Sequence, residues 1–374
     1  MKLIHLSDLH LGKRVNGFSM LEDQAYVLEQ IIAIVKEEAP EGILIAGDVY
    51  DKPVPPAEAV RLFDDFLYRL SKEKIQVFLI SGNHDSPERL SFGGRMMEPG
   101  GIHIAPVFDG TVTPISFQDE YGLVQIYLLP FVKPAQVRAF YQPAESYQQA
   151  LERVMEQIPV DKTVRNVLVT HQFVTGALCS DSEERAVGGT DQVDGNLFAD
   201  FDYVALGHLH RPQKVGRESM RYCGTPLKYS FSEVRDRKSV TVVELKEKGK
   251  VELRTVPLSP LRDLRELKGT YLELMDLPLT EASNDYLHIT LTDEEDVWDA
   301  LARLRTHFPN LMKLDYENTR TKIQGKLEEM ELGKQEKPEE LFADFFETQN
   351  NRPLREEEAD FLRQCVEQIW RDRP

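Results

Sequence analysis

The 374-residue chain is poor in three things. It has three cysteines, Cys179, Cys223 and Cys365, an odd and scattered set without metal-ligand spacing. That speaks against a disulfide framework or a thiolate metal site and fits reduced, mostly packing thiols. No run of residues approaches the apolar length of a membrane span. Asp8 and His10 interrupt the first apolar run, so no secretory signal is expected there. Positive charge is scarce too: 45 Lys and Arg stand against 63 Asp and Glu, a net charge of −18. This balance argues against strong unaided binding to nucleic acid or to an anionic membrane. A nuclease whose centre becomes cationic through bound metal stays open. Internal repeats are absent. The expectation is a soluble cytoplasmic protein with no membrane partner. With 41% apolar residues it has material for a substantial core, and its length leaves room for two domains and a smaller element.

What is present is a recurring strand end. Ile43-Leu-Ile-Ala46, closed by Gly47, reads as a strand buried on both faces of a parallel sheet. Asp48 then stands where open α/β sheets bind their ligands. The same pattern returns four times. Lys2 to Leu6 runs into Asp8 and His10, Ile75 to Ile80 into Asn83, His84 and Asp85, Asn166 to Thr170 into His171, and Tyr203 to Gly207 into His208 and His210. Helical stripes lie between the early strands: Leu21 to Val35, ending near Pro40, and Val60, Phe63, Leu67 and Leu70. Ser19 with Glu22 suggests a capping box, and Ser86-Pro87 another helix start. The first hundred residues therefore read β-α-β-α-β-α. Short strands, notably Val124 to Leu129, follow, then a helix about Ala144 to Ile158 and an acidic, Gly-rich loop over 175–196. Strands near Arg221–Cys223 and at Ser239–Leu245 are expected to complete a second sheet layer.

Beyond Pro260 the composition shifts to a small α+β unit. Thr270 and Glu273 suggest a capping box, Tyr286 to Leu291 and Leu311 to Leu314 strands, and Trp298, Leu301, Leu304 and Phe308 a helix face. Thr319 to Pro338 is charged and poor in large apolar residues, a linker by composition. Two amphipathic helices end the chain, one striped by Leu341, Phe342, Phe345 and Phe346, the other by Phe361, Leu362, Cys365, Val366, Ile369 and Trp370. Such short aromatic helices behind a polar linker of about twenty residues are marginal alone and suit docking on another chain.

The strand ends collect Asp8, His10, Asp48, Asn83, His171, His208 and His210. Carboxylate, imidazole and amide form a mixed N/O donor set that suits divalent transition metals. Seven donors exceed one tetrahedral site and match two ions sharing a ligand, with Asp48, from the middle of the series, as the candidate bridge. Two cations ~4 Å apart clamp a phosphate and activate water. His84 follows Asn83 directly, so its side chain diverges and is left off the metals. It can donate to a leaving oxygen or stabilise transition-state charge, with Asp51 holding its tautomer. Asp85 reads as a turn residue. His5, His103, His288 and His307 carry no assigned chemistry.

The blocks Asp8-x-His10, Gly47-Asp48-x-x-Asp51, Gly82-Asn83-His84-Asp85, a lone His171 and Gly207-His208-x-His210 resemble the calcineurin-type metallophosphoesterase superfamily. Leu6-Ser-Asp-Leu-His-Leu-Gly12, Gly207-His-Leu-His-Arg-Pro212 and Gly224-Thr-Pro-Leu-Lys-Tyr-Ser-Phe-Ser-Glu233 further resemble the bacterial SbcD nuclease family, relatives of the archaeal and eukaryotic double-strand-break repair nucleases. The resemblance implies an α/β fold: a two-layered β-sandwich flanked by helices over 1–260, a small α+β capping domain that contacts DNA over 261–317, a linker over 318–338 and a helical partner-binding segment over 339–374. It implies one ion on Asp8, His10, Asp48 and His210 and the other on Asp48, Asn83, His171 and His208, most simply Mn²⁺. It also implies exonuclease action on double-stranded DNA ends, endonuclease action on single strands and hairpins, and a role in DNA repair, recombination and replication. Its expected partners are an SbcC-like ABC-type ATPase with a coiled coil, DNA, and a second copy of the nuclease subunit, in a nucleoid-associated cytoplasmic setting. One departure separates the chain from protein phosphatases, which have Arg where it has Lys52. Lys lacks the bidentate phosphate grip of Arg, and this weakens the alternative of a small-molecule or phosphoprotein phosphoesterase.

Overall fold

Each apolar run forms a parallel strand whose polar end lies at one common edge. In the computed structural model, which describes residues 1–183, 191–278 and 280–319 and the isolated positions 355 and 359, two six-stranded sheets stack face to face. The first runs Val251–Pro257, Ser239–Leu245, Lys2–Leu6, Gly42–Ala46, Gln76–Ile80, Ile102–Ala105. Its last four strands are parallel, with Leu6 beside Ile45 and Ala46 beside Ile80. The second runs Gln213–Val215, Arg217–Tyr222, Tyr203–Gly207, Arg165–His171, Gly122–Leu129, Ile115–Asp119, with Gly207 opposite His171.

Between the sheets lie Leu3, Leu44, Phe78, Ile126, Val167 and Val243. The alternation of strand side chains sends Ile4 and Leu6 the other way, against Leu28, Ile31 and Val35 of the helix Leu21–Glu38 and Phe63 and Leu70 of the helix Ala57–Lys72. Leu151 and Val154 of Tyr147–Gln157 cover the outer face of the second sheet, on Leu168 and Val204. Each fully buried Leu, Val or Phe contributes about 1.5–3 kcal/mol. Strands buried on both faces need no polar side, which is why they read as unbroken apolar runs. The α/β sandwich with outer helices is the fold expected.

Several local expectations fail. Ser239–Leu245 joins the first sheet, antiparallel to Lys2–Leu6 with Leu3 beside Val243, because that strand has a free edge and Val243 fits the inter-sheet core. The Ser19/Glu22 capping box does not form. The helix starts from buried Met20, with no side-chain cap, since Phe18–Ser19 pairs with Arg14–Val15 as a hairpin and Glu22 turns to Arg262. Ser86 caps Pro87–Leu90 by position but makes no side-chain cap bond. Val60 is 43% exposed. Trp298, at 82% exposure, precedes the helix Ala300–Arg305, on which Leu301 is also exposed and Leu304 buried.

In the small unit Leu264–Gly269, Tyr286–Leu291 and Leu311–Tyr316 form a parallel sheet over a core of Leu274, Leu287, Ile289, Leu304 and Phe308. The Thr270/Glu273 capping box is present. Arg262 and Tyr286 donate to the buried Asp23 carboxylate of the helix Leu21–Glu38, and Tyr286 and Met312 join the large core. The expected linker from residue 320 on, and the helical segment 339–374 apart from 355 and 359, lie outside the described residues. Among the described residues no helix is long and apolar enough to cross a membrane.

Candidate metal centre

The strand ends turn sharply. Asp8, His10, Asp48 and His208 all have positive φ, at 53°, 45°, 50° and 106°, a conformation that costs L side chains about 1–3 kcal/mol each and persists only where the surroundings impose it. Bonds between the loops impose it: Asp8 N–H donates to Gly47 O at 3.0 Å and His10 N–H to Asp48 O at 2.9 Å. Two glycines make the close approach possible. A Cβ on Gly207 would lie 1.8 Å from Ala46 O, and one on Gly82 2.0 Å from Asp48 Oδ1.

These turns bring the seven strand-end side chains together. His171 Nδ1 donates to Ala46 O at 2.8 Å, which turns Nε2 inward, 3.0 Å from Asn83 Oδ1 and 3.4 Å from Asp48 Oδ2. His208 Nδ1 meets the same Asn83 oxygen at 3.0 Å. On the other side of Asp48, His10 Nε2 lies 3.1 Å from His210 Nε2 and 3.7 Å from Asp48 Oδ2. Ligand atoms of Asp8, His10 and His210 lie within 4.8 Å of one another, as do those of Asp8, Asp48 and His171. Asp8 itself is held by the His208 N–H, at 3.0 and 3.2 Å to its two oxygens.

The cluster is rich in acceptors and poor in cations. Burial pushes the Asp8 carboxyl up to about 6, reinforced by Asp48 and opposed by His171. Asp48 goes the other way: burial opposes its charge, but His171, His10 and His84 outweigh that and keep it ionised. Burial disfavours a charged His171 as well, yet Asp48 and Asp8 overcome it and raise the ring to about 9. His208, under burial and the field of His171, falls to about 3, and burial also drives His10 down. Asp48 thus draws positive charge to its side, which a proton on His171 or a bound cation supplies; His10 Nδ1 and His208 Nε2, the ring nitrogens turned away from His210 and Asn83, have no hydrogen-bond partner. Hard oxygen and borderline nitrogen donors fit divalent cations. The nearest thiol, Cys223, is directed to Ser7 and pushed up by burial.

Around this core three expectations change. Asp51 holds His84 through its main-chain oxygen, 3.1 Å from Nδ1. Its carboxylate instead meets Lys13 Nζ at 2.7 Å and faces His10 Nδ1 at 3.8 Å, since Lys13 is the nearer cation. His84, expected to stand apart from the ligands, has a ring nitrogen grouped with His10 and Asp48, and proximity does not set it apart. Asp85 is more than a turn residue. Its buried carboxylate accepts from the N–H groups of Val49, Tyr50 and Gly82 and ties the Asp48 loop to the Asn83 loop. Sequence reasoning also missed Gln24, whose amide bridges His10 O and Gly12 N–H, and Ser182, Glu183, Glu233 and Lys238 around His210. Glu233 ends a quoted motif; no local signal marked the others.

Residues 1–212 match the family described as calcineurin-like phosphoesterase. The SbcD component of the SbcCD nuclease from Staphylococcus epidermidis is 33% identical over 373 residues, 98% of each chain. The chain belongs to the SbcD family of calcineurin-like phosphoesterases. A second SbcD relative, from Staphylococcus saprophyticus, is 36% identical over 321 residues, 84% of each chain. Residues 260–350 match the family described as type 5 capsule protein repressor C-terminal domain. A solved dimetal phosphatase from Danio rerio aligns with 69% of this chain and 99% of its own at 13% identity, with a TM-score of 0.40, too loose a likeness to add to the SbcD assignment.

Proposed function

We propose that this chain is the nuclease subunit of an SbcC–SbcD-type complex and hydrolyses DNA phosphodiester bonds at a two-metal centre. The observation that carries the reading is the crowding of lone pairs on either side of Asp48, in a chain of the SbcD family. Asp8, His10, Asp48 and His210 would hold one divalent ion, and Asp48, Asn83, His171 and His208 the other, with Mn²⁺ suited to such a donor set. When bound, the ions supply Lewis acidity toward the phosphate and acidify a water. The chain supplies the rest. Ala46 O keeps the His171 proton on Nδ1, so that Nε2 faces inward. Asp51 O orients His84 through Nδ1 and places Nε2 4.0 Å from Asp48 Oδ2, where the ring, once doubly protonated, can pass the Nε2 proton to the leaving oxygen. Phe131 and Phe173 pack beside His208 and limit water on that side.

Residues 261–317 act as a capping domain that contacts DNA, and residues 339–374, behind the linker 318–338, dock on the coiled-coil base of an SbcC-like ATPase. The working unit is a homodimer in the cytoplasm, acting on duplex ends, single strands and hairpins. The nuclease name of the relatives disfavours a small-molecule or phosphoprotein substrate. Purified chain with added Mn²⁺ should cleave single-stranded DNA, and duplex ends only with the ATPase and ATP. Cleavage of small phosphomonoesters without DNA cleavage would overturn the reading. Truncation after Gln335 should leave single-strand cleavage intact and abolish co-purification with the ATPase. Retained complex, or lost single-strand activity, would assign the tail to the catalytic body.

A further inference from the structure

His210 is held unlike the other imidazoles. Where His171 gives its Nδ1 proton to a main-chain carbonyl, His210 Nδ1 meets the Ser182 hydroxyl at 2.5 Å. That hydroxyl lies 2.5 Å from Oε1 of Glu233, which Ser180 Oγ reaches at 3.3 Å. Glu233 is wholly buried. Its second oxygen accepts from Lys238 Nζ at 2.6 Å, and the same ammonium donates to His210 O at 2.8 Å and Thr225 Oγ1 at 2.9 Å. The His210 N–H donates to Glu183 Oε1 at 2.7 Å. Side chains from residues 182–183 and 238 therefore grip the ring, the amide and the carbonyl of one residue.

The proton count gives this arrangement a direction. Inside the core the Glu233 carboxylate is paired with the Lys238 ammonium at 2.6 Å, so it stands as an acceptor for the Ser182 hydroxyl. A hydroxyl has one proton to give. Ser182 gives it to the carboxylate and turns a lone pair to His210 Nδ1, which then carries the ring hydrogen. Nε2 is left bare, and Nε2 is the atom that faces His10. In the other tautomer, N–H would point at the ion and repel it. Hydrogen bonding to an anion-backed acceptor also strengthens the opposite ring nitrogen as a donor.

We propose that Ser182 and Glu233 are positioning residues for the ion held by Asp8, His10 and His210: through the Ser182 hydroxyl, Glu233 sets the tautomer and donor strength of His210. The proposal rests on the reading of His210 as a ligand. Its test is Mn²⁺ titration of the full chain by calorimetry. Ser182→Ala should bind one ion about 10- to 100-fold more weakly and the other as before. Ser182→Thr, which keeps the hydroxyl, should restore binding. Glu233→Gln should weaken the same ion, and should that variant fail to fold, the Ser182 pair decides. His210→Ala, the control, should lose that ion outright. Wild-type affinity in Ser182→Ala, equal loss at both ions, or no restoration by Ser182→Thr overturns the relay while His210→Ala still loses its ion. Two full-affinity ions in His210→Ala would overturn the ligand reading, and the relay with it.

Discussion

The strand Arg165–His171 carries a buried ionic group at each end, roughly 20 Å apart at ~3.3 Å per residue, and the two ends are built differently. At Arg165 the guanidinium donates to Asp119 Oδ2 at 2.9 Å, to Leu245 O and Lys246 O at 3.2 Å each, and to Gly122 O at 2.7 Å. Guanidinium and carboxylate are paired within the chain, with Arg165 Nε alone among its nitrogens lacking a partner. At His171 an imidazole nitrogen, an amide oxygen and a carboxylate face one another, all of them groups able to coordinate a cation. Both ends are buried and polar, so burial alone does not separate structural from functional clusters. The kinds of group that meet there do. A set that pairs cation with carboxylate stabilises the fold, and a set of converging nitrogen and oxygen donors suits a bound cation.

Substitutions at the two ends should therefore fail in different ways. The largest effect belongs to Asp48→Ala, which removes the carboxylate shared by both acceptor sets. Elemental analysis should find both ions lost or scrambled, with DNA cleavage down by more than ~10³-fold, beyond the loss of a single transition-state donor. Two tightly held ions in this variant would refute the bridge. Next comes His84→Gln, which should retain both ions and DNA binding while turnover falls ~10²–10⁴-fold. Loss of an ion would make His84 a ligand, as its proximity to Asp48 allows. At the Arg165 end, Asp119→Asn should lower unfolding free energy by about 3 kcal/mol, the cost of stranding a buried partner, with Mn²⁺ affinity untouched.

Two smaller effects sharpen the contrast. Mn²⁺ at about a hundred times its Kd should stabilise wild type by about 2.7 kcal/mol and Asp48→Ala by much less, as read by thermal melts. Asp119 provides the pH test. Its hydrogen bond from Arg165 holds the carboxyl below the usual value of 3.8. A depressed folded-state pKa contributes stability that is full above 3.8 and lost as pH falls below it. The stability gap between wild type and Asp119→Asn should thus be constant near neutrality and narrow below about pH 3.8. A gap independent of pH would show that the pair contributes packing and not charge.

Much of this was legible in one dimension, for a local reason. Strands buried on both faces must be apolar throughout, so Gly42–Ala46 and Tyr203–Gly207 announced themselves, and a polar residue after each marked the common edge where Asp48 and His208 converge. Linear order said less about pairing. Ser239–Leu245 sits beside Lys2–Leu6 because an antiparallel partner can come from any distance along the chain, and its own residues read equally well in either sheet. The residues that orient the centre were the hardest to see. Asp85 reads as a turn residue, Ser182 falls in a loop and Lys238 carries no signal, since a hydrogen-bond partner is chosen by direction and distance in space. The sequence by itself determined which side chains stand at strand ends and what chemistry they share. Only the tertiary structure decided which nitrogen of His171 faces inward, that Asp51 acts on His84 through its main chain, and that Glu233 reaches His210 through Ser182, because proton positions and orientation are set by neighbours distant in the chain.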